Sequence, residues 1–166
     1  MFEFVSKGTW LKTDVGFSTT EDNYPGNDKD KFIPVRSTPG SAGYDIRSPF
    51  DFTISPGDRV ILPTGLKWNP KTCEAYPNFG VLQLYPRSSL GFKYGFTLLN
   101  TVGIIDADYY NNPVNEGHIM IGFTVDKEME INVGDKICQG IILPIILDDE
   151  IVPTVKREGG IGSTGK

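Results

Sequence analysis

The chain has 166 residues, with 16 Lys+Arg against 21 Asp+Glu for a formal net charge of −5, and no dense basic cluster. That length fits one domain, and that charge argues against the basic face with which proteins grip a nucleic-acid backbone. Glycine (19) and proline (12) are frequent and alanine is scarce, which favours short strands joined by turns over long helices. A charged substrate in a local pocket remains open, because net charge says little about one cleft.

No apolar run reaches the length of a membrane span, and Met1–Phe4 is not a basic-then-apolar leader. The expectation is therefore a soluble, cytoplasmic protein with no membrane contact. Cys73 and Cys138 lack metal-site spacing and read as buried free thiols. With one histidine, His118, a zinc site is not expected.

In chain order, Phe2, Phe4 and Val5 predict a first strand. Residues 17–31 (FSTTEDNYPGNDKDK) predict an exposed, mobile loop without a role of its own. Strand-like runs then recur between turn residues: 33–36, 52–54, 59–62, 80–85, 98–105 (a hairpin arm), 119–125, 129–133 and 137–147. Strands so short and so regularly punctuated predict a sandwich or barrel. Only 88–95 offers a turn of helix. Pro144 predicts that the last run is divided or lies at an edge. Ile141, Ile142, Ile145 and Ile146 lack a polar partner face, so a second layer or another subunit is expected to cover them. Trp10 and Trp68 are assigned to core or surface packing, and His118 to structure or surface rather than to catalysis.

Five segments combine glycine with polar chemistry that folding alone does not demand. Residues 41–46 (SAGYDI) lead small residues to a carboxylate, Asp45, whose plain alternative is an Asx turn. Residues 85–91 (YPRSSLG) offer the planar donor fork of Arg87 with Ser88 and Ser89, suited to phosphate oxygens or to an ordinary exposed turn. Residues 100–109 (NTVGIIDADY) join Asn100, able to complement a base edge, to Gly103, Ile105, Asp106 and Tyr109; a polar hairpin cap is the alternative. Residues 134–139 (GDKICQ) read alone as a hairpin ending at Gln139. The tail 157–166 (REGGIGSTGK) carries backbone N–H groups able to wrap oxyanions, or else has no fixed structure without a ligand. Its GxxxxGK spelling lacks the Ser/Thr and helix that a phosphate-binding loop needs.

Together and in this order, the five segments resemble the motifs of the trimeric dUTPase family over about three-quarters of the chain. The resemblance implies an all-β, distorted jelly-roll or β-barrel (β-clip) subunit over residues 1–166, a homotrimer with shared active sites, and a C-terminal lid over 156–166. It implies Mg²⁺-assisted hydrolysis of dUTP to dUMP and pyrophosphate, in the cytoplasm of a bacterium or of a phage-infected cell. Asp106 would activate the attacking water. Asp45 would hold Mg²⁺ through bound waters. Arg87, Ser88, Ser89 and Gln139 would meet the phosphates, with Arg157 or Lys156 on the γ-phosphate. The hairpin from Asn100 through Gly103 and Ile105 would read uracil, and Tyr109 would pack on the deoxyribose. Ile161, Gly162, Ser163 and Thr164 would close over the nucleotide. Three departures stand out: Ile161 replaces the usual Phe, the tail spacing is one residue shorter, and residues 110–117 (YNNPVNEG) form an inserted loop. A dCTP deaminase-like relative is the competing activity. A fold-retaining binding protein, holding a protein partner through loop 17–31 or 110–117, is the non-enzymatic alternative.

Overall fold

The computed structural model describes residues 1–72, 80–146, 157 and 159. Cys73, Lys156 and the lid residues Ile161, Gly162, Ser163 and Thr164 lie outside the described residues. The chain opens with β1 (Phe2–Phe4) and α1 (Lys7–Leu11), then a 3-10 turn (Pro25–Asn27) and α2 (Lys29–Phe32). There follow β2 (Val35–Arg36), β3 (Tyr44–Arg47), β4 (Phe52–Ile54), β5 (Val60–Pro63) and β6 (Leu66–Trp68). After β7 (Gly80–Pro86) come α3 (Ser88–Tyr94), β8 (Thr97–Leu98), β9 (Gly103–Ile105) and β10 (Met120–Thr124). β11 (Met129–Ile131) and β12 (Lys136–Pro144) complete the series. No helix among the described residues is long and apolar enough to cross a membrane.

The expected all-β architecture is what forms. One sheet has the order β2-β3-β12-β7-β9, a second β5-β10-β8, and the pairs β11-β4 and β1-β6 complete the set, with every pairing antiparallel. β10 shows how the sequence drives this: Ile121 and Phe123 are buried, whereas Met120, Gly122 and Thr124 are only partly so, the period of a sheet with one face on the core. That core stacks Trp10 on Phe50 (5.7 Å) and Phe96 on Phe123 (4.4 Å), and buries Trp68 and Cys138. β12 ends at Pro144, paired with Gly80, as a residue without an amide N–H requires. Its Ile141 and Ile142 are half-covered while Leu143 and Ile146 stand exposed, so the described part of one chain leaves the cover of this run incomplete.

Residues 17–31 differ from the roleless loop that their composition suggests. Phe17 packs on Phe50 (4.6 Å) and Phe52 (5.1 Å). The Trp10 indole donates to the Thr20 carbonyl (2.9 Å) and to Asn23 Oδ1 (3.1 Å), and the Tyr24 hydroxyl donates to the Val5 carbonyl (2.5 Å). Pro25 is buried. Four anchors outweigh a polar composition, so the segment forms part of the fold. α1 and α2 also go beyond the single helical turn expected. Each is a turn or so, held at its start by a side-chain cap from Ser6 or Asp28.

Candidate active site

The first half of the site gathers on β3, β12 and the end of β7. Asp45 pairs with Gln139 in register, and Gln139 with Tyr85. A bulge between Lys136 and Cys138 sets Lys136 opposite Arg47, two residues from Asp45 and hence on its face. Without the extra residue Lys136 would point to the other side. As a result Lys136 Nζ lies 2.6 Å from Asp45 Oδ2, Arg87 Nε 3.2 Å from Oδ1, and the Ser37 hydroxyl donates to Oδ2 at 2.7 Å. Burial opposes ionisation of Asp45, but Lys136, Ser37 and Arg87 together outweigh it and hold the carboxyl below the usual aspartate range. Two cations against one carboxylate leave the cluster net positive. It opens into a cavity of about 270 Å³ lined by Ser41, Gly43, Ser88 and Gln139 as well. Ser89 lies exposed in the first turn of α3, and the left-handed Gly95 (φ 66°) ends that helix. The cleft is built for an anion.

The second half is the hairpin from Asn100 to Tyr109. The Val102 amide donates to the Asn100 carbonyl at 2.7 Å, two residues back, with Thr101 at φ 62°. A positive φ at a β-branched residue is strained, and it leaves the Asn100 tip exposed. Gly103 is buried against Leu84, where an added Cβ would come within 3.0 Å of the Leu84 Cβ. Ile105 is partly covered at the strand end. Asp106 follows β9 with its side chain 48% exposed. Arg157 Nη1 lies 3.0 Å from both Asp106 Oδ2 and Asp108 Oδ1, and its guanidinium stands 5.5 Å over the Tyr109 ring. Two carboxylates and an aromatic face thus hold Arg157, one of the two residues expected on the γ-phosphate, at the Asp106 hairpin of its own chain. Among the described residues its buried Nε has no partner, the position an incoming acceptor would complete.

Within one chain the two halves do not meet. Gly103 pairs with Leu84 and Ile105 with Leu82, so Asp106 emerges at the Val81 end of β7 while Arg87 leaves the other end. At strand rise, six residues separate them by roughly 20 Å. Sequence reasoning also missed Ser37 and Lys136 as partners of Asp45. Lys136 had a signal in GDK, whereas Ser37 had none. His118 is structural, as expected: its Nε2 accepts from the Gly65 amide (2.8 Å) and its Nδ1 lies 3.2 Å from Thr13 Oγ1. Burial lowers its pKa to about 4 against the opposing charge of Glu116.

Fold and site define an all-β protein with an anion cleft and a hairpin-borne carboxylate, the parts a nucleotide phosphohydrolase requires. The dUTPase family model matches residues 29–165. A deoxyuridine 5'-triphosphate nucleotidohydrolase of Lactococcus lactis is 46% identical over 139 residues, covering 80% of this chain and 87% of the relative. The crystal structure of dUTPase from Streptococcus mutans superposes with a TM-score of 0.66 at 34% identity, covering 89% of this chain and 98% of that one. A dUTPase from phage phi11 of S. aureus, described for its structural Mg(II) ion, shares the fold (TM-score 0.58) at 21% identity, over 76% of this chain and 92% of its own. The chain belongs to the dUTPase family.

Proposed function

We propose that the chain hydrolyses dUTP to dUMP and pyrophosphate in a site completed between subunits, Asp106 of one chain facing the Asp45–Arg87 cleft of another. The observation that carries this reading is the separation of the two half-sites along β7: a carboxylate roughly 20 Å from the phosphate-binding cleft of its own chain needs another chain to act. A homotrimer satisfies that need, and the exposed Leu143 and Ile146 supply apolar surface for it.

Asp106 orients a water and takes its proton as it attacks the α-phosphorus, a contribution of typically about 10²–10⁴-fold. Arg87 and Lys136 neutralise phosphate oxygens, with Ser88, Ser89 and Gln139 as polar neighbours. Arg157, already beside Asp106, places its unpartnered Nε toward a phosphate oxygen. The Asn100–Ile105 hairpin reads the uracil edge with backbone groups. A close backbone against the ring would exclude a 5-methyl, and cytosine would leave buried polar groups unpaired. The Tyr109 ring supports the deoxyribose and excludes a 2′-hydroxyl.

The residues present fit a metal that arrives with its nucleotide. Among the described residues no three His, Cys, Asp or Glu side chains cluster to hold an ion. The donor is one ionised carboxylate, Asp45, already flanked by Lys136 and Arg87. Mg²⁺ suits this arrangement, since it keeps several waters and binds through one carboxylate plus phosphates. Held there, it would supply charge neutralisation on the triphosphate. The test is pyrophosphate release from each dNTP with Mg²⁺: turnover confined to dUTP is expected, while ammonia release from dCTP or no turnover of dUTP would refute the assignment.

A further inference from the structure

The loop at 110–117, which the activity does not call for, closes on the sugar-supporting tyrosine. Tyr109 is 7% exposed, and its hydroxyl is held twice: it donates to the His118 carbonyl (3.0 Å) and accepts from Asn115 Nδ2 (2.8 Å). Asn115 is itself fixed. Its Oδ1 accepts from Asn112 Nδ2 (2.7 Å) and from the Gly117 amide (3.1 Å). Asn112 in turn accepts from the amides of Val114 and Asn115 at 3.0 and 3.1 Å and donates to the Tyr109 carbonyl at 3.0 Å. The result is a small amide frame around both ends of one residue. The Arg157 guanidinium that stands over the Tyr109 ring also touches Asp106, so the ring and the carboxylate flank the same side chain.

We propose that Asn115 is a positioning residue: by anchoring the Tyr109 hydroxyl it fixes the ring angle, and so sets the discrimination between dUTP and UTP. The inference rests on the assignment of Tyr109 to the sugar. A buried hydroxyl with two partners has no freedom to tilt. With one partner removed the ring can rock about the His118 bond, and a displacement of a few tenths of an ångström makes room for part of a 2′-hydroxyl. The expected loss is in the ratio of kcat/KM for dUTP to that for UTP, because the ring would still support a deoxyribose.

The test is a double-mutant cycle on that ratio. Asn115→Ser keeps an acceptor for the Gly117 amide as a Ser-type turn, but its hydroxyl is too short to reach Tyr109. Tyr109→Phe keeps the ring and removes the anchored oxygen. Each single variant is expected to lower the dUTP/UTP ratio about five- to tenfold, the worth of one hydrogen bond, and the double variant no further than either. A ratio unchanged in Asn115→Ser, or losses that multiply in the double variant, would overturn the proposal even if the melting temperature falls. Should Asn115→Ser fail to fold, Asn115→Asp serves with the same comparison. It keeps the acceptor roles but cannot donate to the Tyr109 oxygen, whose single proton serves the His118 carbonyl, so the same loss is expected and an unchanged ratio there would count against the proposal. Tyr109→Ala separates the two levels: an unchanged ratio in that variant refutes the sugar-contact assignment itself, whereas a lowered ratio there with no change in Asn115→Ser refutes only the anchor.

Discussion

Replacing Glu116 with glutamine should cost most of the energy that ties the N-terminal segment to the inserted loop. Glu116 accepts from the Ser6 hydroxyl, from the Ser6 amide (3.1 Å), from Thr9 Oγ1 (2.5 Å) and from Lys67 Nζ (3.1 Å). Burial disfavours its charge, but these donors outweigh burial and bring the carboxyl from 4.5 down to about 2. By proton linkage such a displacement is worth about 3 kcal/mol; the side chain is 29% exposed, and the amide keeps one acceptor, so a loss of about 2–3 kcal/mol is expected at pH 7. For a chain of this size that lowers the melting temperature by roughly 4–12 °C. The sign is set by a folded value below the unfolded one. The contribution is complete above about pH 5 and drains away as pH falls toward 2. Denaturant unfolding of wild type and Glu116→Gln from pH 7 down to pH 3 reads both features. The gap should be largest at neutral pH and narrow in acid. A gap under about 1 kcal/mol at pH 7, the worth of an exposed ion pair, or one that does not narrow, would refute the reasoning.

Other outcomes follow from the same geometry. Asp106→Asn should cut kcat by at least about 10²-fold while leaving the affinity for a non-hydrolysable dUTP analogue, measured by calorimetry, within a few-fold. Asp45→Asn leaves Arg87 and Lys136 without their shared partner; the concentration of Mg²⁺ giving half-maximal rate should rise about tenfold or more, since the water-shell ligand for the ion is lost. His118, held neutral by burial to about 4, makes the folded state bind fewer protons than the unfolded chain between pH 6.5 and 4. Stability should therefore fall over that window by up to about 3 kcal/mol, and the slope should flatten in His118→Asn.

Much of the fold was legible because its signals are local. β4 has the bounds its turn residues suggest, and α3 with its glycine cap lies where the helical turn was expected. What escaped depends on tertiary contacts. α1 and α2 are too short to show a period and exist through caps and packing. Residues 17–31 look like loop because Phe17, Asn23, Tyr24 and Pro25 are few among many polar neighbours. For the site, the order of the five segments pointed to the dUTPase family. The bulge that turns Lys136 toward Asp45 is a property of strand pairing and cannot be read along one strand. The same holds for the placement of Asp106 and Arg87 at opposite ends of β7, and for the amide frame of Asn112 and Asn115, which has no signature beyond an asparagine-rich insertion.

Subunit complementation puts the shared site to proof. Arg87→Ala and Asp106→Asn, each inactive alone, are unfolded, mixed in equal amounts, refolded together and assayed on dUTP with Mg²⁺. If Asp106 and Arg87 of one site come from different chains, random assembly restores about one quarter of wild-type activity, from sites that draw each residue from the intact chain. A mixture no more active than its parents, with mixed oligomers confirmed by mass, would contradict it.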